Sequence, residues 1–355
     1  MAKTLYLHIG FEKTGTTSLQ EYLKKNRAML RACGLLYPAA GCGSNHWALM
    51  VQALPPAAGD RIKWAKGLDT PEASLQCQRE FAAALAAEVA DADCSSVVMS
   101  LEQLSSRLRT EEDVRRLQAL FEQVGFETVR IVAYLRPQAE FLTSWYSTVL
   151  KTGQRTAPFS LPTPADPEFP FLTYLPTLDL WAAVFGAANV MVAAFQRSRL
   201  LEGNIIDDFL ARIGAAAATR AGERARDQNP SLDPTTAEVV RRLNAHLGPL
   251  VDEAGVNRYR KHFRRIAEQA STSQRLTLSE ADTQRFMAQF ESSNAEIARR
   301  FCAGETLFDP VHGEGDTSFY QHPLSMDAAF EVFARLLKAQ QRLLEGIGKG
   351  KGKGR

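Results

Sequence analysis

TLYLHIGFEKTGTT, Thr4–Thr17, is a short apolar run closed by Gly10, then a four-residue loop closed by Gly15, then two threonines that open a helical pattern. The run 4–10 is short, rich in Leu and Ile and stopped by glycine, which reads as a buried strand. From Thr16 to Cys33 the apolar positions Leu19, Tyr22, Leu23, Leu30 and Cys33 recur at helical spacing. Thr16 or Thr17 can cap the start of that helix and Gly34 can end it. A glycine-bounded loop between a strand and a helix makes a cradle for an anion. Backbone N–H groups converge there, and the helix N-terminus adds roughly half a positive charge. The loop is not a Walker A loop, which places Lys directly after the second glycine. Here Thr16 stands in that position, and the lysine, Lys13, lies inside the loop two residues before Gly15.

The rest of the chain repeats the alternation. Residues 39–75 carry Pro and Gly and read as irregular, with GCGSNHWALM the notable piece. An Ala-rich helix is expected from about Glu80 to Val89, then a buried strand over 95–100 (SSVVMS) leading into Leu101 and Glu102. Thr110 and Asp113 form a capping box for a helix with Val114, Leu117, Leu120 and Val124 on its apolar stripe and Gly125 as its stop. A third strand, TVRIVAYL (128–135), ends at Arg136–Pro137, and Phe141, Leu142, Trp145 and Val149 mark the next helix. A fourth strand is expected at 189–195. Strands alternating with helices predict an α/β fold: a P-loop-like, three-layer arrangement with a central parallel sheet flanked by helices. Helical signals at 235–247, 282–301 and 326–345 make the C-terminal part, from about 234 to 345, helical. Five prolines in RTAPFSLPTPADPEFPF (155–171) exclude regular structure and suggest a surface flap over an acceptor. The expected organisation is one domain over 1–345, followed by a disordered basic tail, GKGKGKGR and its flanking residues (346–355).

Composition bounds the function. The 355 residues are 45% hydrophobic and 23% charged, with a formal net charge of +2. These are ordinary values for a chain with a real core, and they offer no global field for nucleic acid or membrane. An anion site must be built locally. No stretch approaches the ~18 apolar residues of a membrane span, and the amino-terminal apolar run is too short for a signal segment. Cys33, Cys42, Cys77, Cys94 and Cys302 are odd in number and scattered, which points away from a disulfide framework or a zinc site and toward a reducing, cytoplasmic setting.

KTGTTSLQ (Lys13–Gln20) after a short apolar strand resembles the 5′-phosphosulfate loop of the sulfotransferases. The resemblance implies that Lys13 meets the bridging oxygen and sulfuryl group of 3′-phosphoadenosine 5′-phosphosulfate. Thr14, Gly15, Thr16, Thr17 and Ser18 would hold its 5′-phosphate. The branch acting on phenols and steroids usually carries Trp after the two threonines; Ser18 stands there instead, so the carbohydrate-modifying branch is the closer match. The family's second signature is an Arg closing a strand and a Ser eight residues on, which here are Arg136 and Ser144, implied to hold the 3′-phosphate. RARDQNPSLD (224–233) is similar to a stretch of bacterial members and adds Arg226 and Asn229, with Ser231, to the nucleotide site. No metal is implied.

Sulfuryl transfer needs a base for the acceptor proton, and two residues qualify. Glu102 follows the second buried strand, near where the resemblance places a carboxylate base. His46, in GSNHWAL, has an ordinary pKa suited to a base at neutral pH, and serves as base or as acceptor-site partner. The expected acceptor is a glycan, lipid-linked sugar or small natural product. A P-loop kinase or nucleoside triphosphatase, and an inactive nucleotide-binding protein, remain the alternative classes.

Overall fold

Strand-forming runs with alternate residues facing opposite ways can be buried on both faces only if helices cover both, and that is what the chain builds. The computed structural model describes residues 3–166, 169–219, 231–252, 255–321 and 323–351. In chain order these form β1 (Thr4–Gly10), α1 (Thr16–Lys25), β2 (Leu35–Leu36), α2 (Pro71–Asp91), β3 (Ser96–Ser100), α3 (Glu111–Val124), β4 (Thr128–Leu135), α4 (Gln138–Lys151), α5 (Leu175–Phe185), β5 (Val190–Ala194) and α6 (Ile205–Arg212). Then come α7 (Pro234–Leu247), α8 (Arg258–Ala270), α9 (Glu280–Ala288), α10 (Glu291–Phe301) and α11 (Met326–Lys351), with shorter helices between.

By their contacts the residues gather into two compact units. The first comprises 1–137, 167–226 and 290–309, and the second 138–166, 227–289 and 310–355. The first unit holds an all-parallel sheet of order β2-β3-β1-β4-β5, with Leu5 opposite Val97 on one side and Val129 on the other. On one face Leu5, Leu7, Ile9, Met99, Ile131 and Leu135 pack with Leu85 of α2, Leu117 of α3, Trp181 of α5 and Ile297 of α10. On the other, Val98, Val132 and Tyr134 pack with Leu19 and Tyr22 of α1 and Phe209 of α6. Helix, sheet, helix is the three-layer α/β architecture that the alternation predicts. The chain runs from β1 to β2 and β3 on one side and then crosses to β4 and β5 on the other, and the crevice outside the carboxyl ends of strands at such a reversal is where α/β sheets bind ligands. The second unit is helical, with a two-stranded ribbon pairing Val251–Asp252 with Gly255–Val256. No helix among the described residues is long and apolar enough to cross a membrane.

Several boundaries differ from expectation. The helix expected to run 16–33 breaks at Asn26, whose backbone leaves the helical region and whose side chain turns back onto the Tyr22 carbonyl. The Ala-rich helix is twice as long as expected because Thr70 caps it and Pro71 fits its first turn. The helix expected over 282–301 is two, α9 and α10, separated where the chain passes from the second unit to the first. The capping box is present as predicted, with Thr110 and Asp113 each accepting from the other's N–H. Helix α11 runs on to Lys351, into the first part of the expected tail.

Two core histidines carry the pH response. His8, on β1, is fully buried with Nδ1 2.8 Å from Ser100 Oγ. His46 is also fully buried: its Nε2 donates to the Pro38 carbonyl (3.0 Å), its Nδ1 accepts from the Ser100 N–H (3.1 Å), and its ring meets Tyr37 edge-on. With both nitrogens committed, His46 is a core strut, and its assignment as base or acceptor-site partner is corrected. Burial depresses His8 to about 4 and His46 to about 3. The folded state therefore refuses protons that the unfolded chain accepts below about 6.5. Stability is complete above that pH and is lost as pH falls toward 4, at about 1.4 kcal/mol per pH unit for each histidine. Urea unfolding at pH 7 and pH 5 should show that loss; equal midpoints would contradict it.

Candidate functional site

Lys13, Thr14, Gly15, Thr16, Thr17, Ser18, Glu102 and Arg136 lie at the carboxyl edge of the first unit's sheet. At the end of β1 the chain turns through Gly10 (φ 74°), and a side chain there would collide with the Glu102 backbone just past β3. Glycine at this position lets the two strand ends close on each other. Inside the loop, Lys13 sits in the left-handed region (φ 66°), which costs a non-glycine residue roughly 1–2 kcal/mol. Two hydrogen bonds hold it there. Thr14 Oγ1 donates to the Phe11 carbonyl (2.6 Å), and Arg136 Nη1 donates to the Lys13 carbonyl (3.1 Å).

Arg136 is fixed in turn. Its own carbonyl accepts from the Tyr174 hydroxyl (2.6 Å), and its guanidinium lies over the Phe195 ring, 5.7 Å from the centroid. Phe195, immediately after β5, presses on the loop: a Cβ on Gly15 (φ 74°) would come within 2.9 Å of its ring edge. The ring thus joins the two motifs, and only an aromatic ending NVMVAAF hinted at it in the sequence.

Helix α1 starts without a side-chain cap; Gly15 occupies the cap position. The expected threonine cap does not form, because Thr16 Oγ1 donates to Glu102 Oε2 instead. Since the first intrahelical bond is Leu19 N–H to the Gly15 carbonyl (3.2 Å), the N–H groups of Thr16, Thr17 and Ser18 have no partner within the helix. They form the electropositive mouth of a ten-residue helix. Thr14 is buried and its proton is committed to the turn, so it shapes the loop; Thr17 is exposed and Ser18 partly so.

Glu102 is held from both sides: Oε2 by Thr16 and Oε1 by Gln103 Nε2 (3.2 Å). A second carboxylate, missed in the sequence, faces it. Glu12 sits in the loop beside Lys13, and burial first, then the charge of Glu102, raises its pKa, against the opposing pull of Lys13, Arg107 and Ser106. Arg107 also pairs with Asp60 (2.8 Å). The edge therefore combines Lys13, Arg136 and an uncapped helix start with two interacting carboxylates. It can bind an anion and keep a proton acceptor next to it. Ser144 lies on α4, in the second unit, and Arg226 and Asn229 lie outside the described residues.

No family model matches the chain. An uncharacterized protein of Archaeoglobus fulgidus is 30% identical over 219 residues, 61% of this chain; the chain spans only 57% of that protein's length. A crystal structure of a sulfotransferase from Alicyclobacillus acidocaldarius is similar at a TM-score of 0.39 and 16% identity, covering 69% of this chain and 96% of the other, a likeness too distant to speak to activity.

Glu12 supplies a test of the site's electrostatics. Its folded-state pKa is raised, so its stabilising contribution is complete below the unfolded value and is lost as pH rises through the folded one. Glu12→Gln removes that penalty. The variant should melt higher than the parent at pH 8 and gain less, or nothing, at pH 4. A gain confined to pH 4 would show that the carboxylate is not destabilised by its surroundings.

Proposed function

We propose that this sheet edge binds 3′-phosphoadenosine 5′-phosphosulfate and transfers its sulfuryl group in line to an acceptor hydroxyl, that of a glycan, lipid-linked sugar or small natural product. The observation that carries the reading is the pinned loop: Lys13 is held in a strained turn by Arg136, at the mouth of an uncapped helix. The resemblance of KTGTTSLQ to 5′-phosphosulfate loops gives that anion site its ligand. The Thr16, Thr17 and Ser18 N–H groups would take the 5′-phosphate, and Arg136 the 3′-phosphate.

As the acceptor oxygen bonds to sulfur, the bond from sulfur to the bridging oxygen breaks, and its electron pair leaves with the nucleotide. Lys13 stabilises that developing charge, as preorganised cations do best where water is excluded. Glu102 takes the acceptor proton; the Thr16 and Gln103 bonds fix its orientation but leave lone pairs on both oxygens. General-base help of this kind is worth about 10²–10⁴-fold.

One observation favours a second reading. A threonine at the helix start hydrogen-bonded to a carboxylate past the neighbouring strand is also how a nucleoside triphosphatase prepares a divalent-cation site. Ligand-dependent melting separates the two. Adenosine 3′,5′-bisphosphate at 100 times its dissociation constant, with metal chelated, should add about 2.7 kcal/mol. A response to ATP with Mg²⁺ but none to the bisphosphate would replace sulfuryl transfer with the second reading.

Substitutions test the roles. Lys13→Ala should abolish nearly all turnover with an unchanged melting curve. Glu102→Gln should lower kcat by about 10²–10⁴-fold with bisphosphate binding retained. Parental turnover in either variant removes that residue from the mechanism.

A further inference from the structure

The second unit contains a cavity of its own, of about 750 Å³, built entirely from its own residues. That size is typical of small-molecule sites. One wall is aromatic. Phe159 stands at the centre, with Tyr146 (4.9 Å between centroids), Phe319 (4.8 Å) and Tyr320 (5.0 Å) around it. Phe159 belongs to the proline-rich segment, and the start of that segment is strapped to α7. Arg241 Nη1 donates to the Thr156 carbonyl (2.5 Å), and Asn244 Nδ2 to the Arg155 carbonyl (2.8 Å). Arg241 is itself held by both oxygens of Glu238 (2.7 and 2.8 Å), so the wall is preformed.

The polar lining includes Arg241, Arg242 and Arg275 together with Glu238 and Glu314. Glu238 is occupied by Arg241 and Arg242 (2.9 Å). Arg275 is exposed and makes no ion pair or hydrogen bond through its side chain among the described residues. Tyr146 is 3% exposed as a residue and lines the cavity, and its hydroxyl makes no hydrogen bond among the described residues. The hydroxyl is therefore free to donate to an acceptor atom bound in the cavity.

The geometry points to a binding site in the second unit for a small aromatic acid, its ring against the Phe159 cluster and its anionic group between the Tyr146 hydroxyl and Arg275. Stacking and edge contacts favour a planar ring, and a guanidinium with a phenol donor favours a carboxylate- or sulfonate-type group. Burial, the largest influence on Tyr146, pushes it up to about 12, so the phenol keeps its proton and donates at neutral pH. The site uses neither the glycine-bounded loop nor Glu102, so it does not rest on the sulfuryl-transfer reading.

Calorimetric titration of the full chain with 2-naphthoate, beside neutral 2-naphthamide, tests it. One saturable site is expected, with the amide at least about tenfold weaker. Tyr146→Phe removes a single oxygen, and Arg275→Glu changes an exposed side chain, so both should fold. Each should weaken naphthoate binding severalfold while leaving the amide little changed. Phe159→Ala should weaken both ligands. Lys13→Ala should bind naphthoate as the parent does. No saturable binding at millimolar naphthoate, parental affinity in both Tyr146→Phe and Arg275→Glu, or loss of binding in Lys13→Ala would each overturn the site.

Discussion

The hydrogen bond from Arg136 Nη1 to the Lys13 carbonyl ties together the two strand ends at the first unit's sheet edge. Lys13 has a left-handed backbone that an isolated chain would leave, and the bond comes from the residue that closes the adjacent strand. Because β1 and β4 are neighbours in parallel register, their carboxyl ends emerge together, and residues 123 positions apart in sequence become direct partners. Glu102 arrives from the strand on the other side of β1, and Phe195 from the strand beyond β4. The sheet is the ruler that sets these distances. Strain of this kind persists only where the surroundings over-determine it, and here a guanidinium, a threonine hydroxyl and an aromatic edge do so.

Local patterns were legible where a few neighbouring residues decide the outcome. The strands at 4–10 and 128–135, the Thr110–Asp113 box and the Gly10–Gly15 loop all follow from period, cap chemistry and glycine placement. Patterns set by distant partners were not legible. Leu35–Leu36 is too short to show an alternation and is a strand only because β3 pairs with it. The segment 258–270 is so rich in arginine that its apolar positions, Phe263, Ile266 and Ala270, escape notice, yet they form one buried face of α8.

The same division runs through the site. Lys13, Arg136 and Glu102 could be placed by counting from strand ends. The roles of Thr16 and His46 could not, because each depends on what stands opposite. Thr16 looked like a cap and is the partner of a carboxylate; His46 looked like a base and is enclosed by Pro38, Ser100 and Tyr37. Glu12 was overlooked because a loop glutamate normally faces water. Only the fold turns it toward Glu102.

The twisted backbone at Lys13 also sets the direction in which this chain can drift. Glycine there would relieve about 1–2 kcal/mol of conformational strain while deleting the one cation built into the turn. Relief of that size is a large fraction of the stability of a marginally stable fold. Exchange of this one residue would therefore trade the cation for a sturdier turn.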